Sequence, residues 1–173
     1  MPRRSAASGV DETEERLERV TALVYALLHD VAAWLSGTVE PVDVAFYPEY
    51  RLRSVADLPE PRARMTRYLN PGVLESWGEV LDRWVSRGFG YRPSFGRNLR
   101  VAISDGPDEG PRAEVTFHDR SEVQTPNGDR LTPGRRWSMT VWVAEDLRQI
   151  RSVVLREVTD PPLAGERPPG RAL

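Results

Sequence analysis

Asp119 is the residue whose type and position could carry chemistry. It closes the run Ala113-Glu-Val-Thr-Phe-His-Asp119, in which Ala113, Val115 and Phe117 share one side of an alternating pattern. The carboxylate therefore falls on the apolar side, two residues beyond Phe117, where it is costly unless paired or open to solvent. In the structural reading the core has ended by Ser121, and Arg135 or Arg136 neutralises Asp119. In the chemical reading Asp119 is a general base in an apolar pocket. Such a base takes a proton from a carbon next to a carbonyl and needs precise placement or a raised pKa. The polar side chains that could join it there are Tyr68, Tyr91 and His118. Three arginines in the same stretch (Arg120, Arg135, Arg136) favour the ion pair.

Other chemistry finds less support. His118 points to the opposite, polar side of its strand, and His29 lies on a helix near its apolar border. Two histidines far apart, with no paired carboxylate spacing, predict no metal site. No serine stands in a Gly-x-Ser-x-Gly elbow. The Gly88-Phe-Gly-Tyr-Arg-Pro-Ser-Phe-Gly96 stretch resembles a phosphate-cradling loop only in its glycines, because no strand precedes it and no helix follows. No organic cofactor is expected.

A long hairpin, Ala113 to Val143, must position Asp119. Its returning arm carries Trp137, Met139, Val141 and Val143 at period two, the pattern of a strand with one buried face. Pro126-Asn127-Gly128-Asp129 joins the arms, and Asn-Gly is a strong hairpin signal. A two-residue Asn-Gly loop would set Phe117 opposite Ser138 and so bring a buried face against a polar one. Repair requires a bulge, expected at Thr132-Pro133-Gly134, or a loop longer than two residues.

Before the hairpin, acidic residues from Asp11 predict the start of an amphipathic helix. Leu17, Val20, Val24, Leu27, Val31 and Trp34 form its apolar stripe, Arg16, Arg19 and Asp30 lie on its polar face, and Gly37 ends it. Val39–Val55 reads as an edge strand or a draped loop. A short helix follows over Arg62–Leu69, and another over Pro71–Arg87, with Asn70 as cap and Leu74, Trp77, Leu81, Trp84 and Val85 as its stripe. Strands are expected over Asn98–Ser104 and Gln149–Val158. Val153-Val154-Leu155 is apolar on both faces and should lie inside the sheet or under a helix.

The 173 residues suit one domain over 11–159, with an unstructured start at 1–10 and an unstructured Pro-rich tail at 160–173. There are no cysteines, which excludes disulfides and cysteine–zinc sites. All 24 basic residues are arginine, a mark of high-GC coding. A net charge of −2 gives no electrostatic reason to expect nucleic acid or an anionic membrane. No stretch reads as a membrane span or a signal peptide, so the expected compartment is the cytoplasm.

Helices followed by consecutive strands make an α+β fold, with the helices on one face of an antiparallel meander. In this order of elements, from Glu12 to Val158, the chain resembles the NTF2-like (cystatin-like) superfamily. The resemblance implies N-terminal helices packed on a curved four-to-five-stranded antiparallel sheet, forming a cone with a cavity inside. Tyr68, Trp77, Trp84, Tyr91, Phe117, Trp137 and Met139 would line that cavity. Its isomerase and cyclase branches use a base such as Asp119 with a second polar group. Its members commonly pair through the outer sheet face, which would hold Thr116, His118, Thr140 and Trp142, so a homodimer is expected. The preferred function is a non-catalytic module that holds a small apolar molecule or a protein partner. The alternative is a cofactor-independent lyase, isomerase or cyclase.

Overall fold

The computed structural model describes residues 7–37, 59–94, 100–106 and 110–158. The expectations for Val39–Val55 and for the Pro-rich tail lie outside them. The first helix, α1, runs Ala7–Ser36, so Asp11 to Glu15 sit beyond its first turn and residues 7–10 belong to the helix. Gly37, at φ +66°, ends it in the left-handed conformation that glycine adopts without strain. Val20, Val24, Leu27 and Ala32 are buried along one side.

Asp30 is buried too, which corrects its assignment to the polar face. It is fully buried, as is its partner Arg64. Arg64 lies in α2 (Pro61–Met65) and donates Nε–H to Asp30 Oδ1 at 2.7 Å. The Tyr68 hydroxyl donates to Asp30 Oδ2 at 2.8 Å, and Arg64 Nη1 donates to the Pro59 carbonyl at 2.7 Å. A buried ion pair persists only when such extra hydrogen bonds offset desolvation. The segment after α2 then docks on the sheet through its backbone. Ile150 N–H donates to the Tyr68 carbonyl at 2.6 Å, and Asn70 N–H to the Ile150 carbonyl at 2.9 Å.

The third helix, α3, runs Pro71–Ser86, with Pro71 in its first turn and the Asn70 side chain capping Gly72 N–H at 2.9 Å. Its buried residues are Leu74, Gly78 and Leu81, and it packs against α1 and α2 while touching the last strand. Gly78 is needed there, because a Cβ would stand 3.3 Å from the Trp34 ring. Trp34 Nε1 donates to Asp82 Oδ1 at 2.9 Å and joins α1 to α3.

Among the described residues seven strands follow: β1 (Gly90–Arg92), β2 (Arg100–Gly106), β3 (Gly110–Asp119), β4 (Glu122–Gln124), β5 (Arg130–Leu131), β6 (Arg135–Val143) and β7 (Ile150–Glu157). They form a four-stranded antiparallel sheet ordered β2-β3-β6-β7 and a three-stranded sheet ordered β1-β4-β5. The protein is thus α+β, with helices packed on an antiparallel sheet that does not close into a barrel. None of the described helices is long and apolar enough to cross a membrane. The inner sheet face buries Ala113, Val115, Phe117, Met139, Val141 and Val143, and Val20, Val24, Leu27, Met65 and Leu69 fill the space against it.

The long hairpin spans both sheets, and both of its arms break at the same level, around Arg120 and Thr132–Gly134. Phe117 faces Trp137 below the break and Gln124 faces Arg130 above it, one uninterrupted register. The extra residue therefore lies in the turn and not at Thr132-Pro133-Gly134. Gly128 N–H donates to the Thr125 carbonyl at 2.9 Å, and Thr125 N–H to the Asp129 carbonyl at 2.8 Å. Gly128 alone in the turn has positive φ, at +90°. This is a type I turn followed by a left-handed residue, the usual three-residue hairpin loop. The strand β7 lies at the sheet edge rather than inside it, with Val153 and Val154 half-buried and Leu155 41% exposed.

Removing one member of the buried pair leaves the other charge uncompensated. Asp30→Ala should cost about 3–5 kcal/mol, whereas replacing both with apolar residues, as in Asp30→Leu/Arg64→Met, should cost much less. Urea unfolding midpoints for the single and double variants check this.

Candidate functional site

Asp119 ends β3 where the hairpin passes from one sheet to the other. It is half-buried, and its Oδ1 accepts the Ser121 N–H at 2.8 Å. A carboxylate that bonds a backbone N–H two residues on stabilises a local turn. The Tyr91 side chain reaches the same place from β1, where its phenol lies within the influence of both Asp119 and Ser121. The Ser121 hydroxyl accepts Ser94 N–H at 2.9 Å, and Arg120 N–H donates to the Ser94 carbonyl at 3.0 Å. Ser121 is buried although both serine and its neighbours are polar.

Of the three candidate partners for Asp119, Tyr91 is the one brought to it. Tyr68 serves Asp30, and His118 Nε2 lies 3.1 Å from the Gly134 carbonyl on the other side of the sheet. The expected arginine neutralisation takes another form. Arg135 stands opposite Asp119 in the ladder, yet its ion pair is with Glu157 at 3.7 Å. Glu157 faces Trp137, one position along on the same face, so Arg135 reaches diagonally to β7 instead of back to β3. Burial pushes the Tyr91 phenol above its ordinary range. The Asp119 carboxylate pushes the same way, while the Ser121 hydrogen bond opposes both. The cluster is a phenol beside a carboxylate whose bond to Ser121 N–H holds the backbone.

The residues expected around one cavity are spread over separate places. Tyr68, Phe117 and Met139 are buried in the core, and Trp137 packs against it. Trp77 and Trp84 are only half-buried on α3, where Trp84 stacks on Phe89 with ring centroids 4.6 Å apart. Tyr91 belongs to the small sheet. A surface hollow of about 360 Å³ lies elsewhere, between the start of α1 and Leu147 in the β6–β7 turn. It is lined by Glu12, Thr13, Glu15, Arg16 and Arg19, and includes none of the expected pocket residues.

The outer face of the four-stranded sheet matches expectation more closely. Thr116 is exposed there, and His118, Thr140 and Trp142 are half-buried. Thr140 Oγ1 donates to Glu114 Oε2 across the strands at 2.9 Å. On β2, β3, β6 and β7 the described residues turned to this side are half-buried or exposed, in contrast to the buried row opposite.

No family model matches the chain, and no curated protein matches it. Solved structures do. A de novo designed β-sheet protein aligns with TM-score 0.45 and 17% identity, over 86% of this chain and 96% of its own. The intermembrane space region of the chloroplast protein ARC6 aligns with TM-score 0.44 and 13% identity, over 91% of this chain and all of its own.

A phenol whose folded pKa lies above its unfolded value favours the folded state below the unfolded value. That contribution is lost as pH rises past about 10. Absorbance titration should show one tyrosine ionising later than the rest, absent in Tyr91→Phe. Urea midpoints of the wild type should fall above that pH more steeply than those of Tyr91→Phe.

Proposed function

We propose that this chain is a non-catalytic interaction module that holds a protein partner on the outer face of its four-stranded sheet. The observation that carries the reading is Trp142, a half-buried tryptophan near the end of a central strand, on a mostly polar face with the helices on the other side. Tryptophan is enriched among the residues that anchor interfaces. The resemblance to the NTF2-like superfamily belongs to the same proposal, since its members commonly associate through this face. A small apolar ligand fits less well, because side chains occupy the space between α1 and the sheet.

The enzyme reading gains one point and loses another. Asp119 has the second polar group it would require, Tyr91, but both are engaged in holding the bend between the sheets. Their chemistry is accounted for by position.

A photo-crosslinking residue at Thr116 should yield a discrete adduct in lysate of the source cells. The same residue at Glu79, exposed on α3, should not. Trp142→Ala should abolish the adduct while lowering stability by about 1–2 kcal/mol, short of the 3–5 expected for a fully buried tryptophan. Equal adducts from both positions would overturn the assignment of the face.

A further inference from the structure

The charge on the outer face has one dominant sign. Strand alternation turns Arg100, Arg112, Arg136 and Arg156 to this side, with Glu114 as the acid among the described residues there. Four arginines against one glutamate leave +3, on a chain whose net charge is −2. Glu114 is already engaged, by Thr140 at 2.9 Å and by Arg112 Nε at 3.3 Å.

The arginines are ordered. Arg100 pairs with Thr116, Thr116 with Ser138, and Ser138 with Arg156, so one straight row crosses all four strands. Exposed guanidinium groups stand at its two ends and hydroxyls lie between. At about 4.8 Å per strand the ends are roughly 14 Å apart. The neighbouring row on one side adds Arg136 beside His118. On the other side Ala102 and Val154 occupy the two edges, and one row further Trp142 stands opposite Arg112. Cations therefore run along the whole face, and apolar groups join them at the Trp142 end.

Resting on the reading of this face as a docking surface, we infer that its partner is an acidic protein segment. Its carboxylates would meet Arg100 and Arg156, and an apolar side chain would reach the Trp142 end. Carboxylates about four residues apart in an extended chain span roughly 13 Å, close to the separation of the two edge arginines. Arginine recognises carboxylates through paired hydrogen bonds, and the intervening hydroxyls can donate to the same segment. A second copy meeting this face with its own would set +3 against +3, which electrostatic complementarity disfavours. Single-stranded nucleic acid needs several aromatic rings interleaved with the cations as stacking platforms, and the described residues of this face offer one indole, Trp142 beside Arg112.

The test is an amide NMR titration of the full chain with a synthetic peptide that repeats Glu-Ser-Leu-Ser. Its Gln counterpart and oligothymidine serve as comparison ligands. The acidic peptide should shift the Thr116 and Ser138 amides, binding about tenfold or more tightly than the Gln peptide at low salt. That advantage should shrink as salt shortens the screening length below about 8 Å. Arg100→Glu/Arg156→Glu should remove it. Both positions are exposed, and Arg100→Gln and Arg156→Gln, each alone, give the same reading with less perturbation. Equal outer-face shifts from both peptides would overturn the acidic partner and leave the docking face standing. Tighter binding of oligothymidine would replace the partner class. No outer-face response to any ligand would overturn the acidic partner, and loss of the Thr116 adduct as well would overturn the face itself.

Discussion

A single buried carboxylate holds the layers of this protein together. Asp30 on α1 takes hydrogen bonds from Arg64 and Tyr68, which sit on the short helix and the turn after it. The Tyr68 carbonyl in turn accepts the first N–H of β7. The path from the long helix to the sheet edge thus runs through three side chains and one backbone bond. Apolar packing alone would leave α1 free to slide along its axis, because Leu27 and Val24 fit many neighbours. A charge that cannot be abandoned in the interior permits one register.

The hairpin was legible because period two is a strong signal when one face is fully buried, and Phe117 opposite Trp137 is its product. The turn was less legible. Asn127-Gly128 alone suggests two residues with positive φ, but Pro126 sets its own φ near −65° and starts a type I turn one residue earlier. Gly128 then supplies the extra residue that the register requires. Asp30 looked exposed because a helix pattern assigns polar residues to the wet side, and its partner lies 34 positions away in the chain. The spacing of Arg64 and Tyr68, four apart within the stretch expected to be helical, was the available clue. Trp77 and Trp84 were overweighted for size. Gly78 between them permits the close approach of Trp34, and α3 accordingly buries its smaller residues.

The candidate site divided along similar lines. The outer-face residues follow from alternation and were placed by sequence. The meeting of Asp119 with Tyr91 depends on β1, a three-residue strand within a glycine-rich stretch that has no periodic signal to read. Such short strands take their conformation from the partner they join, here β4.

The matching breaks in the two arms of the hairpin also bear on how the protein opens. On the far side of the break, β1, β4 and β5 form a sheet of only eight residues, joined to the larger one through the Asp119–Ser121–Ser94 contacts. Cooperative unfolding requires that packing be shared, and β1 shares packing with α1 whereas β4 and β5 pack mainly on β1 and on each other. The hairpin tip, β4 and β5, is therefore the unit of local unfolding, able to exchange its amide hydrogens while the larger sheet stays closed. A partner on the outer face of the large sheet would find its platform intact even while the hairpin tip was open.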